Sequence, residues 1–236
     1  MLKFRHNFSS MQTNGFIQFL NVEVLKNQIS VLKDITFNIP KGDFVYIIDP
    51  IGQSKTSLIQ TIYGQLSIHN GHATIADIPI HNIDQQAIPY LRRQLGLISL
   101  AFPLNKQLSV KKNLQLVLSA TNWTDLNAQE NRIDYILDYL EISELKTKSI
   151  RELTAVQYLL VLVARALLNN PSVLLLDNPL QQIDSTTGAY LLNKLYEYAQ
   201  NNSTTVLWAT MNQDITNWQN ADKVLACHGD NIIEID

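Results

Sequence analysis

Only one cysteine, Cys227, occurs among the 236 residues. A single thiol excludes an intrachain disulfide framework and fits a reducing compartment, and Cys227 reads as a small buried apolar residue rather than a reactive one. Neither sign of charge is in excess: 18 Lys and Arg stand against 21 Asp and Glu, a formal net charge of -3. A nucleic-acid binder would show a basic face, so that class is excluded. A membrane-spanning helix needs about 20 apolar residues. The most apolar stretch, 158–168, is shorter than that and carries Arg165. Residues 1–14 are polar and mixed, without the apolar centre of a signal peptide. The expectation is a cytoplasmic chain, peripheral to the inner face of the membrane through a partner. There is no internal repeat and no low-complexity segment.

What is present suits one α/β domain with a small inserted subdomain: the length is right, and 46% hydrophobic residues supply a sizeable core. Residues 1–15 read as a loose tail and 16–236 as the domain. Alternation of apolar and β-branched residues predicts strands over 16–24, 30–39 and 72–80. The continuous apolar runs 44–48 and 173–176 predict strands buried on both faces. Helical patterns cover 56–66, 88–94, 110–120, 156–168 and 186–199. A further helix follows Asn127, which with Glu130 resembles a capping box. Its face carries Ile133, Ile136, Leu137 and Leu140. Segments 97–100 and 204–209 are apolar again, and 223–226 and 232–233 predict edge strands. Strands alternating with helices imply a mostly parallel sheet, with 87–152 as a helical insertion.

The strand 44–48, a loop and a helix form the setting of a phosphate-binding loop, whose pattern is G-x-x-x-x-G-K-[ST]. The glycines let backbone N–H groups wrap the phosphates, the lysine reaches the terminal phosphates and the hydroxyl holds magnesium. Here the segment is Asp49-Pro50-Ile51-Gly52-Gln53-Ser54-Lys55-Thr56-Ser57. Lys55 and Thr56 keep their spacing and Gly52 survives, but Asp49 and Ser54 stand where both flanking glycines belong. A carboxylate about 4 Å from a phosphate charge is repelled by about 4 kcal/mol at an effective dielectric near 20. Two readings of Asp49 stand, an antiphosphate charge or a helix-start carboxylate. Lys55 reads either as a phosphate ligand or as a solvated cation at the helix start. Ser54 adds a Cβ where a glycine-only backbone is wanted.

Further segments fall in order. Val173-Leu174-Leu175-Leu176-Asp177-Asn178-Pro179 is four apolar residues and an acidic turn. Ile183-Asp184 follows. Leu153-Thr154-Ala155-Val156-Gln157 precedes Ala164-Arg165-Ala166, and Val206-Leu207-Trp208-Ala209-Thr210-Met211 is an apolar strand with its exit. This ordered set resembles the ATP-binding subunits of ABC transporters. Gly42-Asp43-Phe44-Val45-Tyr46, Leu91-Arg92-Arg93-Gln94-Leu95-Gly96 and Ala164 to Asn169 are most similar to the cell-division subunit type FtsE. The resemblance runs from about Phe16 to the C-terminus. It implies a P-loop NTPase-like nucleotide-binding domain: a mostly parallel central sheet, an antiparallel β part and a helical subdomain.

The resemblance also implies roles, and most positions depart from them. The adenine-stacking aromatic falls near Leu25, and the glutamine that helps hold magnesium and water falls at Leu100. The signature Ser-Gly-Gly, which in the family binds the opposite subunit's terminal phosphate, is Thr154-Ala155-Val156. The glutamate that polarises water is Asn178, an amide and thus a far poorer proton acceptor. The switch histidine is Met211. Gly52, Lys55, Thr56, Ser57 and Asp177 are the residual cofactor-binding set, with Thr56 and Asp177 as the magnesium pair. Asp177 also reads as a strand-end carboxylate bonded to a neighbouring helix start. Asp184 and Gln181 are the nearest candidates for relocated chemistry.

Three readings follow: a pseudo-ATPase docked on an FtsX-like integral membrane subunit, a sensor binding Mg-ATP without hydrolysis, and a weakly active transporter ATPase. The chain is expected to bind Mg-ATP weakly or not at all, and to act as a homodimer or a heterodimer with another ABC subunit. In the helix at 156–168 the run from Tyr158 to Val163 is apolar all round. Such a helix is buried by its own subdomain or covered by a second chain.

Overall fold

The computed structural model describes residues 15–50, 54–179, 183–211 and 221–235. The tail 1–14, Gly52 and Gln181 lie outside them. Two sheets organise the chain. The first is antiparallel, with strand order β2-β1-β4-β5, from β1 (Ile17–Lys26), β2 (Ile29–Ile39), β4 (Ile68–Ile75) and β5 (Ile78–Pro79). The single strand expected over 72–80 is thus two strands, turned at Ala76 and Asp77 with φ of 48° and 64°. Asn27 and Gln28, both at positive φ, close the β1–β2 hairpin in the mirror-turn geometry that matches strand twist. The β1–β2 ladder slips between Phe19 and Val22. Opposite this bulge, a Cβ on Gly71 would lie 2.2 Å from the Asn21 carbonyl oxygen, so glycine is required there.

The second sheet has order β10-β9-β3-β8-β7-β6. Its parallel strands are β3 (Phe44–Ile48), β6 (Leu95–Ser99), β7 (Val173–Asp177), β8 (Thr205–Thr210) and β9 (Lys223–His228), and β10 (Asn231–Ile235) runs antiparallel to β9. Strands β3 and β8 are buried along their whole length, as is β7 except at its final Asp177. That burial explains their unbroken apolar runs. β9 was expected at an edge; it lies inside, between β3 and β10.

Helices cover both faces. Helix α1 (Ser54–Ile62) packs with Val45, Ile47 and the antiparallel sheet in one core. On the other face, Phe44, Tyr46 and Trp208 meet α3 (Val110–Ala120), α4 (Leu126–Tyr139), α5 (Ala155–Leu167) and α6 (Ser185–Asn202) in the second core. A short α2 (Ile88–Arg93) leads into β6. The range 87–152 is therefore not helical throughout, because β6 within it belongs to the parallel sheet. A Cβ on Gly96 of β6 would sit 2.6 Å from the Ala166 carbonyl oxygen, so glycine lets α5 close onto the strand.

Helix ends are capped locally. Ser109 and Asp184 cap α3 and α6. Asp125, not Asn127, caps α4: its carboxylate accepts from the Asn127 and Ala128 N–H groups at 2.8 and 3.3 Å. Glu130 does not reach back; it pairs with Lys111 and Lys146 at 2.7 and 2.6 Å. The apolar helix α5 is enclosed by its own chain, with Leu159 to Ala164 all buried. The Tyr158 hydroxyl accepts from the Leu104 N–H at 2.8 Å. Burial by its own subdomain is thus the reading realised for Leu159 to Ala164, while Tyr158 is half-buried at the cleft beside Leu100.

Candidate functional site

Parallel strands place the residues that follow them on one edge of the sheet. The register pairs Ile48 with Thr210, Ala209 with Asp177, and Asp177 with Ser99. Asp49, Met211, Asn178 and Leu100 are the next residues on β3, β8, β7 and β6. The candidate residues from four separate segments thus meet at the C-terminal edge of the sheet.

At the phosphate loop, Asp49 continues the ladder, its N–H donating to the Thr210 carbonyl at 3.1 Å. Its side chain is only 3% exposed. Oδ2 accepts from the backbone N–H groups of Ser54 and Lys55, the first two residues of α1, at 3.0 and 3.3 Å. The helix-start reading is the one realised, since the positive end of α1 faces this carboxylate. Lys55 is not the solvated cation of the sequence reading: it is 3% exposed, and Nζ donates to the Asp49 carbonyl at 3.3 Å. Ser54 takes helical backbone without positive φ, so its Cβ introduces no strain. Its hydroxyl donates to the Gly229 carbonyl in the turn between β9 and β10. Ser57 is buried in the same helix, and its carbonyl accepts from the Thr61 hydroxyl at 2.8 Å.

The Thr56 hydroxyl donates to Asp177 Oδ1 at 2.9 Å, so the magnesium pair is brought together, each group partnered by the other. Asp177 therefore bonds a side chain in the first turn of α1. Asn178 has φ of 51°. Its N–H donates to the Ala209 carbonyl at 3.0 Å, and its Oδ1 accepts from the Met211 N–H at 3.2 Å. Asn178 thus holds two strand exits together. Met211 and Leu100 are exposed, 44% and 49%, and neither side chain has a group that can hold a phosphate or a proton.

Thr154 caps α5 in a reciprocal box: its hydroxyl oxygen accepts from the Gln157 N–H at 3.2 Å, and the Gln157 side chain accepts from the Thr154 N–H at 3.1 Å. Thr154, Ala155, Leu100, Pro179 and Ile183 share a cleft of about 630 Å³. Asp184 is committed to capping α6, and the Thr187 N–H and hydroxyl hold its carboxyl below the usual carboxylate range. Leu25 is half-buried on β1 beside the hairpin, paired with Ser30, and offers no ring for stacking.

Sequence reasoning missed the contribution of the C-terminal hairpin. Gly229 receives Ser54. Cys227 lies close enough to feel both Asp49 and Lys55: burial pushes its thiol up to about 12, Asp49 adds to this and Lys55 opposes it. No local signal announces these contacts, because the partners are more than 170 residues from the loop. A bound polyphosphate needs the amides at the start of α1 and the lysine ammonium. Thr56 and Asp177 are oxygen donors of the kind magnesium takes. The amides of Ser54 and Lys55 are nonetheless engaged by the Asp49 carboxylate.

A family model described as ABC transporter matches residues 32–181. The cell-division ATP-binding protein FtsE of Streptococcus pneumoniae serotype 2 is 26% identical over 196 residues, covering 83% of this chain and 84% of that protein. FtsE of Bacillus subtilis strain 168 is 28% identical over 191 residues, covering 81% and 83%. Among solved structures, the dimeric ATP-binding cassette MJ0796 bound to ADP and Pi superposes with a TM-score of 0.83 at 23% identity, covering 93% of this chain and 98% of that one. CbiO1 of Clostridium perfringens, part of an ABC transporter complex, gives 0.82 at 24% identity, covering 93% and 87%. These likenesses confirm the fold expected from the ordered motifs.

Proposed function

The chain belongs to the ABC transporter family, and from that premise we propose that it is an FtsE-like pseudo-ATPase, a cytoplasmic docking partner of an FtsX-like integral membrane subunit in cell division or envelope processes. One observation carries the loss of hydrolysis. At the position that the resemblance assigns to the water-polarising glutamate, the Asn178 amide is tied to the Met211 N–H. Phosphoryl transfer is mostly charge placement. Among the described residues the lost acceptor has no substitute nearby, since Asp184 caps α6 and Met211 stands at the switch-histidine position.

Two experiments test this. Steady-state phosphate release from the pure protein is expected at background and unchanged in Lys55→Ala; turnover that vanishes in Lys55→Ala refutes the reading. Calorimetric titration with Mg-ATP is expected to give a dissociation constant above about 1 mM. Micromolar binding without turnover would replace this reading with the sensor.

The docking role draws on the face near Leu100 to Val110. There Tyr63, Arg92, Phe102, Leu116 and Arg165 line a groove of about 450 Å³. Arg165 donates to the Phe102 carbonyl at 2.7 Å and Arg92 to the Tyr63 carbonyl at 3.1 Å, so the walls are braced, while Leu116 stays exposed. Leu116→Glu is expected to abolish co-purification with the membrane subunit while leaving the fold intact. Retained co-purification would place the docking face elsewhere.

A further inference from the structure

We propose that Asp49 is a built-in surrogate for a phosphate group: its carboxylate occupies the anion site at the start of α1 and keeps that helix start filled without any nucleotide. The inference rests on the non-hydrolysing reading and adds what governs its site.

The argument starts from burial. A carboxylate removed from water is costly unless hydrogen bonds and opposite charge replace its hydration. Asp49 is nearly fully buried, and its Oδ2 receives helix-start amides of the kind a phosphate would receive here. Two consecutive backbone N–H groups at the positive end of a nine-residue helix point at Oδ2. The Lys55 ammonium, which in a working loop reaches toward phosphates, folds back onto the carbonyl of the same aspartate. Chain geometry makes this possible. Asp49 follows β3 at the sheet edge, and α1 begins five residues later with its first amides facing the Asp49 carboxylate. A side chain at position 49 is therefore aimed at those amides, whereas glycine there would leave the space to an external anion.

The second departure from the glycine pattern acts in the same sense. The Ser54 hydroxyl ties the start of α1 to the Gly229 carbonyl of the C-terminal hairpin. The Lys33 N–H fastens β2 to the adjacent Asp230 carbonyl at 2.7 Å. The two substitutions, five residues apart, supply the anion and lock the helix start that binds it.

The test compares wild type, Asp49→Gly and the milder Asp49→Ser by thermal unfolding, each with and without millimolar inorganic pyrophosphate, with sodium chloride at matched ionic strength as control. Wild type is expected to show no pyrophosphate-specific shift. Both variants are expected to unfold several degrees lower in chloride and to recover most of that loss in pyrophosphate, because an anion that binds only the folded state raises the midpoint by mass action. A wild-type midpoint that rises with pyrophosphate as much as the variants' overturns the proposal, as does a folded variant that ignores the anion. If neither variant folds, the wild-type arm decides alone: a pyrophosphate-specific rise there overturns it, and no rise supports it. Lys55-dependent phosphate release by wild type would instead refute the pseudo-ATPase reading, so the two failures are separable.

Discussion

Restoring the glutamate at position 178 is the obvious way to ask whether one substitution silenced this site, and the structure predicts that it fails twice. Asn178 has φ of 51°, a left-handed backbone that asparagine and aspartate tolerate better than longer side chains. Its Oδ1 accepts the Met211 N–H at 3.2 Å. Asn178→Glu forfeits about 1 kcal/mol of backbone preference and about 1 kcal/mol for the hydrogen bond. For a chain of this size each kcal/mol lowers the midpoint by about 2–4 °C, so the loss is about 4–8 °C. Asn178→Asp keeps both the left-handed tolerance and an acceptor of the same reach, and is expected within about 2 °C of wild type. Thermal unfolding followed by circular dichroism reads both variants, and phosphate release reads activity. Asn178→Glu is expected to stay inactive because Met211, Leu100 and the Asp49-filled helix start are unchanged. An unchanged midpoint, or a gain of turnover that Lys55→Ala removes, would refute the reasoning.

Thr154→Ala removes half of the reciprocal box at the start of α5 and is expected to cost about 1 kcal/mol, read as a lower denaturant midpoint with an unchanged slope. Leu160→Glu places a charge among core residues and is expected to cost about 3 kcal/mol or more. Sedimentation of that variant at low temperature would show loss of compactness; a clean dimer-to-monomer shift in a folded protein would return α5 to the role of interface. Cys227, with its thiol held up at about 12, is expected to resist an aromatic disulfide reagent at pH 8 in the folded protein and to react at once in denaturant, since the thiolate is the nucleophile.

Much of the architecture was legible before any coordinates. The runs at Phe44 to Ile48 and Val173 to Leu176 are apolar without alternation, because parallel strands covered on both faces have no solvent side. Helix α3 was expected over the residues it occupies, and the ordered motifs implied the two-sheet cassette that superposition supports. Local signals failed where two neighbours compete for one role. Asp125 and Asn127 are both good caps, and the backbone leaves only Asp125 extended with its carboxylate on the next turn.

The roles of the site residues were less accessible, and for one reason. Their residue types were plain in the chain, including every departure at Asp49, Ser54, Asn178 and Met211. What each does depends on groups distant in sequence, such as Thr56 with Asp177, Asn178 with Met211 and Ser54 with Gly229. A sequence specifies which chemistry is present or missing, because that follows from side-chain composition at each position. Whether a carboxylate repels an anion or takes its place follows from where the first turn of α1 aims its N–H groups, and only the packing of that helix against the sheet edge decides it.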